Sequence, residues 1–220
     1  MPVPFDDACP PRSPREDLCP PRACQVCLVR HGTTALNVQR RYRGRRDVPL
    51  DGQGWRDAAT AARELAGAGL VAVYASPLDR ARDTARAIAE TAGLDRVIDL
   101  PGLVNLDYGE WEGRTAEEAA RSHPEAFERY NTYSEDAACP GGERLADAAD
   151  RIVEALRTLG RRHPGQAVAA VSHAVMVRLA IAAITDSPRS QWRRQLPTGS
   201  VSVFAVDGDR LSLLRTPAMV

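Results

Sequence analysis

The chain contains no lysine, and it carries no net charge. All 29 of its basic residues are arginine, and 29 aspartates and glutamates balance them. A chain without net charge has no global field that would attract nucleic acid or an anionic membrane, so any preference for anions has to be local. Only 5% of the residues are aromatic, which also disfavours a site of arginines interleaved with aromatic rings. We therefore expect no nucleic-acid partner.

Long apolar runs are missing as well. No window approaches the roughly 20 apolar residues that cross a bilayer, and the amino-terminal segment has neither the basic start nor the apolar core of a signal peptide. It holds seven prolines instead, Pro2, Pro4, Pro10, Pro11, Pro14, Pro20 and Pro21. Such a segment cannot bury enough surface to offset its ordering entropy. We expect residues 1–24 to form a flexible arm, and the protein to be cytoplasmic with no membrane partner.

The chain has only five cysteines, an odd number, at positions 9, 19, 24, 27 and 139. Cys24-x-x-Cys27 has a spacing that occurs in metal and redox sites, but Cys27 falls inside an apolar run. No second cysteine or histidine pair follows at zinc spacing. Reduced thiols are the default in a cytoplasmic protein. We predict no metal site and no bound cofactor.

The rest of the chain alternates apolar runs with amphipathic stretches. This pattern predicts one α/β domain over residues 25–216, a three-layer sandwich in which helices cover both faces of a mostly parallel sheet. Expected strands are 25–29, 70–75, 97–100, 167–172 and a closing hairpin of 201–206 and 211–214. Expected helices are 34–39, 54–66, 78–91, 115–130 with a break at His123-Pro124, 143–162 and 175–184. Asp51 is expected to cap the second helix, and Ser76-Pro77 to cap and open the third.

Chemistry-bearing side chains follow three of the expected strands. The first ends in Arg30-His31-Gly32, the second is followed by Ser76 with Arg80 one helical turn later, and the strand 167–172 is followed by His173. If these strands are neighbours in a parallel sheet, their carboxyl ends meet at one edge, where α/β proteins bind ligands. Arginine binds phosphate oxygens through paired hydrogen bonds, and two guanidinium groups can neutralise a transferring phosphoryl group. The pattern therefore predicts a phosphate pocket.

Several ordered motifs resemble the histidine phosphatase superfamily, whose best-known branch is the cofactor-dependent phosphoglycerate mutases. They are Val29-Arg30-His31-Gly32-Thr33-Thr34 with Asn37, Arg41-Tyr42-Arg43-Gly44 with Asp47-Val48-Pro49-Leu50, Ser76-Pro77-Leu78-Asp79-Arg80-Ala81 with Thr84-Ala85, Gly109-Glu110-Trp111-Glu112-Gly113, Pro140-Gly141-Gly142-Glu143 and Val171-Ser172-His173. The match runs in order from residue 26 to 206. It implies a phosphoglycerate mutase-like fold and a metal-independent phosphoryl-transfer chemistry.

The resemblance also implies a role for each matching side chain. His31 would be the nucleophile that accepts the phosphoryl group, and a phosphoryl acceptor must be the neutral imidazole. The catalytic set is completed by Arg30, Arg80 and His173, which would hold and neutralise the phosphoryl group. The expected substrate-binding residues are Thr33, Asn37, Arg43, Gly44 and Asn105.

Three positions depart from the family pattern. Asn105 stands where the family usually has a glutamate that protonates the leaving oxygen, and an amide cannot do this. A positioned acid is worth about 10²–10⁴-fold in rate, and Asp107, two residues on, is a candidate general acid in its place. Arg43 adds a cation at the pocket mouth, which indicates a substrate with a second negative group. Ala174 replaces the usual glycine after His173.

These observations predict a phosphatase that hydrolyses a small phosphorylated metabolite through a phosphohistidine intermediate. One alternative is a phosphoryl transfer of the phosphoglycerate mutase type, although the chain is short for that branch. Another is a phosphate-binding pseudo-enzyme that kept the arginines and histidines but lost turnover with the acid. We expect a monomer or a homodimer.

Overall fold

The computed structural model describes residues 22–134, 136–185, 192 and 195–217. The elements in these parts of the chain are β1 (Cys24–Arg30), α1 (Ala35–Val38), α2 (Gly52–Leu65), β2 (Leu70–Ala75), α3 (Asp79–Thr91), β3 (Val97–Asp99), α4 (Ala116–Ser122), α5 (Pro124–Thr132), α6 (Leu145–Arg162), β4 (Ala167–Ser172), α7 (Ala174–Ala182), β5 (Val201–Asp207) and β6 (Arg210–Arg215). Two short 3₁₀ turns, Pro101–Leu103 and Gly109–Trp111, lie between β3 and α4. Every expected strand and helix is present, and its ends fall within two residues of the expectation.

The six strands form one sheet in the order β3-β2-β4-β1-β5-β6. The pairs β1/β4, β2/β4 and β2/β3 are parallel, whereas β5 pairs antiparallel with β1 and with β6. In this register Arg30 of β1 lies opposite Ser172 of β4, and Ala75 of β2 lies opposite Val171. The carboxyl ends of β1, β2 and β4 therefore meet at one edge, as the sequence predicted.

Side chains alternate across the sheet and divide the core in two. Val26 and Leu28 of β1 belong to a cluster that includes Leu156 of α6 and much of α7. Cys27 and Val29, the neighbours that point the other way, belong to a second cluster with the apolar faces of α2 and α3. A strand presents alternate residues to opposite faces, so both faces of β1 are apolar because both are covered. The fold is the predicted three-layer α/β sandwich.

The same alternation bears on the Cys24-x-x-Cys27 pair. Cys24 and Cys27 are both buried, and they belong to the two different core clusters. They therefore cannot share a metal ion or form a disulfide with each other. In the described part of the chain, no group of three or more histidine, cysteine, aspartate or glutamate side chains is placed to hold a metal. A search of the described helices found none that is both long enough and apolar enough to cross a membrane.

Two expectations about local structure need comment. The break at His123-Pro124 is confirmed, since α4 ends at Ser122 and Pro124 opens α5. The expected cap at Ser76 is wrong, because α3 begins at Asp79 and Leu78 is its extended N-cap residue. The serine hydroxyl is instead used at the sheet edge. Of the expected amino-terminal arm, Cys24 already belongs to β1, and residues 1–21 lie outside the described residues.

The amino terminus of α2 fixes the loop that follows β1. The carboxylate of Asp51 accepts a hydrogen bond from the Gly54 N–H at 2.8 Å, which confirms it as the helix cap. The Asp51 N–H in turn donates to the Thr33 carbonyl at 3.1 Å. A Cβ atom on Gly54 would lie 2.1 Å from that same carbonyl, so only glycine allows the loop and the helix to approach this closely.

We expect Asp51→Ala to lower the free energy of unfolding by about 1 kcal/mol, the usual effect of losing an N-cap side chain. Asp51→Ser keeps a capping oxygen and should recover most of that loss. Urea unfolding of the two variants and the wild type measures both values. Equal stability of the alanine and serine variants would contradict a capping role.

Candidate active site

Two histidines meet at the carboxyl edge of the sheet. The backbone N–H of His31 donates to the Ser172 carbonyl at 3.0 Å, which extends the pairing of β1 and β4 by one step. His173 follows Ser172 directly, so the two imidazole rings lie side by side with their centroids 5.1 Å apart. Both side chains are buried. The convergence that the strand ends predicted is present.

Hydrogen bonding fixes the tautomer of His31. Its Nδ1 lies 2.6 Å from the Gly32 carbonyl oxygen, and a carbonyl can only accept a hydrogen bond. Nδ1 therefore carries the proton, and Nε2 is left with a free electron pair. That Nε2 atom is buried and has no hydrogen-bond partner among the described residues. His31 thus presents an unprotonated, unengaged nitrogen to the pocket.

Gly32 is required for packing. A Cβ atom at this position would lie 2.3 Å from the Gly54 carbonyl of α2. Its N–H donates to the Thr84 hydroxyl of α3 at 3.0 Å. Glycine at this position therefore lets the turn that carries His31 approach α2 closely. The turn is held between α2 and α3.

His173 is held by Ser76, the residue expected to cap α3. The Ser76 hydroxyl lies 2.9 Å from His173 Nε2, and the buried Nδ1 has no partner in the described part of the chain. Ser76 is placed for this contact because its N–H continues the β2/β4 pairing by donating to the Val171 carbonyl at 2.9 Å. The ends of the neighbouring strands β1, β2 and β4 thus supply His31, Ser76 and His173.

Arg80 reaches this pair from the first turn of α3 and is fully buried. Its two terminal nitrogens donate to the carbonyls of Arg46 (2.7 Å) and Gly44 (2.9 Å) in the arginine-rich loop, residues 40–51. Gly44 has a φ of +54°, and a Cβ atom there would collide with the Glu112 carboxylate. The loop therefore needs glycine to aim its carbonyl at Arg80.

Asn105 shares the Gly44 carbonyl with Arg80. Its side-chain N–H donates to that oxygen at 3.0 Å, which leaves Oδ1 buried and without a partner among the described residues. The segment that carries Asn105 is fixed by Arg151 of α6, which donates to the carbonyls of Gly102 (3.0 Å) and Val104 (2.8 Å). Arg151 was not anticipated from the sequence.

Burial and positive neighbours set the protonation of this cluster. Burial lowers the pKa of His31 well below its ordinary value of 6.5, and the charges of Arg80 and Arg43 lower it further. The pKa of His173 is lowered in the same way, by burial and then by Arg80. Burial, assisted by Arg43, lowers the pKa of Arg30 and of Arg80 from 12.5 to about 10. At neutral pH the histidines are neutral and the arginines remain charged.

Arg178 of α7 is another positively charged neighbour of this cluster. The sequence did not predict it. It donates to the Trp192 carbonyl at 3.0 Å, and its guanidinium carbon lies 4.7 Å from the centre of the Trp192 ring. Arg30 donates to the Leu196 carbonyl in the same stretch. The only sequence signal is its position five residues after His173, where the first turns of α7 leave the sheet edge.

Two predicted substrate-binding residues have partners within the protein. The N–H and hydroxyl of Thr33 both donate to one Asp57 oxygen, at 3.0 and 2.6 Å, so the threonine links its loop to α2. Asn37 accepts hydrogen bonds from the Thr34 N–H and hydroxyl through Oδ1, so its N–H₂ group is the one that could donate to a ligand. Their roles in substrate binding stay predictions.

Asp107, the candidate general acid, is engaged with the chain around it. One carboxylate oxygen accepts from the Gly109 N–H at 2.9 Å, and the other lies 3.3 Å from an Arg45 nitrogen. Its acid role therefore also stays a prediction.

The two remaining histidines lie at helix ends. His123 separates α4 from α5, and His163 is the C-cap of α6, where its Nε2 lies 2.9 Å from the Tyr74 hydroxyl. Neither contacts the histidine pair through any hydrogen bond in the described residues. His163 therefore offers a control position for mutagenesis.

Comparison with known proteins agrees with this geometry. A model of the histidine phosphatase superfamily (branch 1) matches residues 26–217. The chain is similar to the bifunctional protein Rv2228c of Mycobacterium tuberculosis, with 36% identity over 207 residues that cover 93% of this chain and 56% of the relative. It thus spans little more than half of that relative's length.

Two further relatives are matched along most of their length. Phosphoserine phosphatase 1 of Hydrogenobacter thermophilus is 33% identical over 192 residues, which cover 87% of this chain and 90% of the relative. The solved structure of YhfR of Bacillus stearothermophilus matches with a TM-score of 0.77 at 31% identity, covering 87% of this chain and 95% of the other. The sequence motifs, the sheet edge and these matches agree, and the chain belongs to the histidine phosphatase superfamily.

Proposed function

We propose that this chain is a metal-independent phosphatase that hydrolyses a small phosphorylated metabolite through phosphorylated His31. Membership of the family supports phosphatase or mutase-like activity in general. The observation that carries the specific proposal is the state of His31: neutral, protonated on Nδ1, with a free Nε2 buried among guanidinium groups. This is the form of imidazole that can attack phosphorus.

The reaction proceeds in two displacements. In the first, His31 Nε2 forms a bond to phosphorus while the bond from phosphorus to the leaving oxygen breaks, and the leaving group departs with the electron pair. In the second, water attacks phosphorus, the N–P bond breaks, and inorganic phosphate leaves. Covalent capture divides one difficult displacement into two easier ones.

The positive groups around His31 stabilise charge on the phosphoryl oxygens. Arg30 and Arg80 are fixed by backbone carbonyls before any ligand arrives, so little reorganisation accompanies the reaction. Guanidinium groups suit the charge spread over three equatorial oxygens in the transition state. His173, neutral and held by Ser76, adds a hydrogen-bonding ring beside them.

No carboxylic acid stands at position 105 to protonate the leaving oxygen. Asn105 cannot transfer a proton, and the Asp107 carboxylate is engaged by Gly109 and Arg45. We infer that the enzyme works best on leaving groups that depart without protonation. The same observation favours a second candidate function, a phosphate-binding protein that no longer turns over, and the first experiment separates the two.

We expect His31→Ala to lower hydrolysis of p-nitrophenyl phosphate by more than about 10³-fold, because the attacking nitrogen is lost. Acid-labile phosphohistidine, trapped by rapid quenching, should disappear with it. His163→Ala removes a histidine from a helix end and should leave turnover nearly unchanged. Turnover that persists in His31→Ala would reject the mechanism. Wild-type protein that neither turns over nor becomes labelled would favour the phosphate-binding alternative.

We expect the wild type to hydrolyse an aryl phosphate much faster than an alkyl phosphate, and Asn105→Glu to raise the alkyl rate at least about tenfold by supplying an acid. The aryl rate should change little, since its leaving group needs no proton. Asn105→Ala, which removes the amide without adding an acid, is the matched control. Similar wild-type rates on both esters, together with a tenfold loss in Asp107→Asn, would identify Asp107 as the acid instead.

We expect stability to fall below neutral pH because of the buried histidines. Their pKa values are lowered in the folded state, so unfolded chains bind more protons once the pH drops below about 6.5. Each histidine then lowers the free energy of unfolding by up to about 1.4 kcal/mol per pH unit. Urea unfolding between pH 7 and pH 5 should show this slope in the wild type and a flatter one in His31→Gln/His173→Gln. An unchanged slope in that double variant would contradict the burial of neutral imidazoles.

A further inference from the structure

The motif Gly109-Glu110-Trp111-Glu112-Gly113 contains two glutamates, neither of which takes part in the phosphoryl transfer. Their surroundings differ. The Glu110 side chain is 56% exposed, and its carboxylate lies 3.4 Å from His123 at a helix end. The Glu112 side chain is only 16% exposed, and it faces the arginine-rich loop. Of the two, Glu112 is the one placed to affect the site.

The Glu112 carboxylate binds the loop through a backbone N–H group. Its Oε1 atom accepts a hydrogen bond from the Arg45 N–H at 2.6 Å. The other oxygen lies 3.9 Å from Arg46 Nε, and the Arg46 side chain is 60% exposed, so this ion pair contributes little. A Cβ atom on Gly44 would collide with Glu112 Oε1. The carboxylate is therefore packed directly against the peptide that joins Gly44 to Arg45.

Glu112 is itself held in place by its neighbours in the motif. Trp111, the residue before it, is fully buried in the core. The N–H of Gly113, the residue after it, donates to the Tyr42 carbonyl at 2.7 Å, and the Tyr42 N–H donates to the Arg114 carbonyl at 2.9 Å. This two-way pairing ties the motif to the start of the arginine-rich loop. The carboxylate is therefore a fixed point for the rest of that loop.

The other side of the Gly44–Arg45 peptide faces the site. In a trans peptide the N–H and the C=O point in opposite directions, and this peptide is trans. The Gly44 carbonyl accepts hydrogen bonds from Arg80 at 2.9 Å and from the Asn105 side chain at 3.0 Å. One peptide therefore lies between the Glu112 carboxylate on its N–H side and two donors of the site on its carbonyl side.

The turn that contains this peptide does not by itself decide which way the peptide faces. It runs from Arg43 to Arg46 and is closed by a hydrogen bond from the Arg46 N–H to the Arg43 carbonyl at 3.1 Å. Gly44, its second residue, has a φ of +54°. Turns with φ above zero at this position occur in two forms, which differ in the direction of the central peptide. A carboxylate bound to the Arg45 N–H selects the form whose carbonyl points at Arg80.

Glu112 also acts on Arg80 through its charge. Burial and the charge of Arg43 lower the pKa of Arg80 to about 10, while the charges of Asp47 and Glu112 act in the opposite direction. At that pKa Arg80 is charged at neutral pH. A hydrogen bond at the N–H of a peptide moreover polarises its carbonyl and strengthens the bonds that this carbonyl accepts. What Glu112 adds to phosphate binding is therefore the direction and strength of the Gly44 contact.

We propose that Glu112 is a positioning residue, which fixes the Gly44–Arg45 peptide so that the Gly44 carbonyl holds Arg80 where it binds the phosphoryl group. The proposal rests on the proposed function, because that function assigns the phosphoryl group to Arg80. Glu112 acts through the loop and does not touch the substrate. Without it, the peptide can turn its N–H toward Arg80, so that two donors face each other and the guanidinium loses one of its two supports.

Binding of inorganic phosphate tests this role without turnover. Glu112→Ala removes the acceptor of the Arg45 N–H, and we expect it to raise the dissociation constant of phosphate about ten- to thirtyfold, as the loss of a hydrogen bond to a charged group allows. Glu112→Gln keeps an accepting oxygen at the same place and should stay within about threefold of the wild type. Isothermal titration of the full chain gives both the dissociation constant and the number of sites.

The number of sites distinguishes positioning from a loss of folded protein. A partly unfolded variant binds fewer equivalents of phosphate, and its remaining sites keep the wild-type dissociation constant. A displaced Arg80 instead weakens every site and leaves their number unchanged. With p-nitrophenyl phosphate, the alanine variant should accordingly show a raised KM together with a lowered kcat, and the glutamine variant should restore most of both.

Two further variants show which residue Glu112 acts through. Glu110→Ala is the matched control, since it removes a glutamate of the same motif that lies beside His123, and it should leave phosphate binding unchanged. Arg80→Lys lacks the second terminal nitrogen that reaches the loop. Adding Glu112→Ala to it should weaken binding by less than about threefold further, because residues that act through one contact do not have additive effects.

The outcomes separate this proposal from the proposed function. Unchanged phosphate affinity in Glu112→Ala, an equal loss in Glu112→Gln, or additive losses with Arg80→Lys would overturn the role of Glu112 even if p-nitrophenyl phosphate is hydrolysed. A loss that depends on Arg80 and is restored by glutamine would support that role even in a protein without turnover. A wild-type protein that binds no phosphate would overturn both.

Discussion

The site depends on guanidinium groups whose hydrogen-bond partners, in the described part of the chain, are backbone carbonyls and not carboxylates. Arg30 and Arg80 are held by carbonyls of Leu196, Arg46 and Gly44, which orient the donors but leave their charge in place. That charge adds to burial in keeping His31 neutral. The same positive charge therefore helps to keep His31 neutral and favours anions as ligands of this site. A carboxylate in this position would weaken both.

The rest of the fold holds these positively charged arginines together although they repel one another. Like charges stay close together only if stiff elements fix them. Here each arginine comes from a different element: Arg30 from the end of β1, Arg80 from α3 and Arg178 from α7. Extension of the strand pairing through the N–H groups of His31 and Ser76 ties the histidine pair to the same sheet. The sheet order places β1 beside β4 and β4 beside β2, so no loop has to bridge a gap.

The sequence predicted the sheet and the histidine pair because both follow from local rules. The periodic spacing of hydrophobic residues marks strands and helices, and the carboxyl ends of parallel strands meet at one edge of the sheet. What it missed were partners decided by distant packing. Ser76 looked like a helix cap, but its partner is His173, 97 residues away. No sequence pattern near Thr33 indicates that its hydroxyl donates to Asp57 in α2. Arg178 sits on a mostly apolar helix and carries no motif of its own.

Asn105 cannot transfer a proton, but its amide has a structural role at this position. The Gly44 carbonyl accepts from Arg80 and from the Asn105 amide, so this one oxygen connects the arginine-rich loop, α3 and the segment before Asp107. An ionised carboxylate at position 105 could not donate to that oxygen and would face it with like charge. The amide therefore gives up proton transfer and gains a fixed donor that positions the loop. For the proposed phosphatase, protonation of the leaving oxygen then depends on the substrate and not on residue 105.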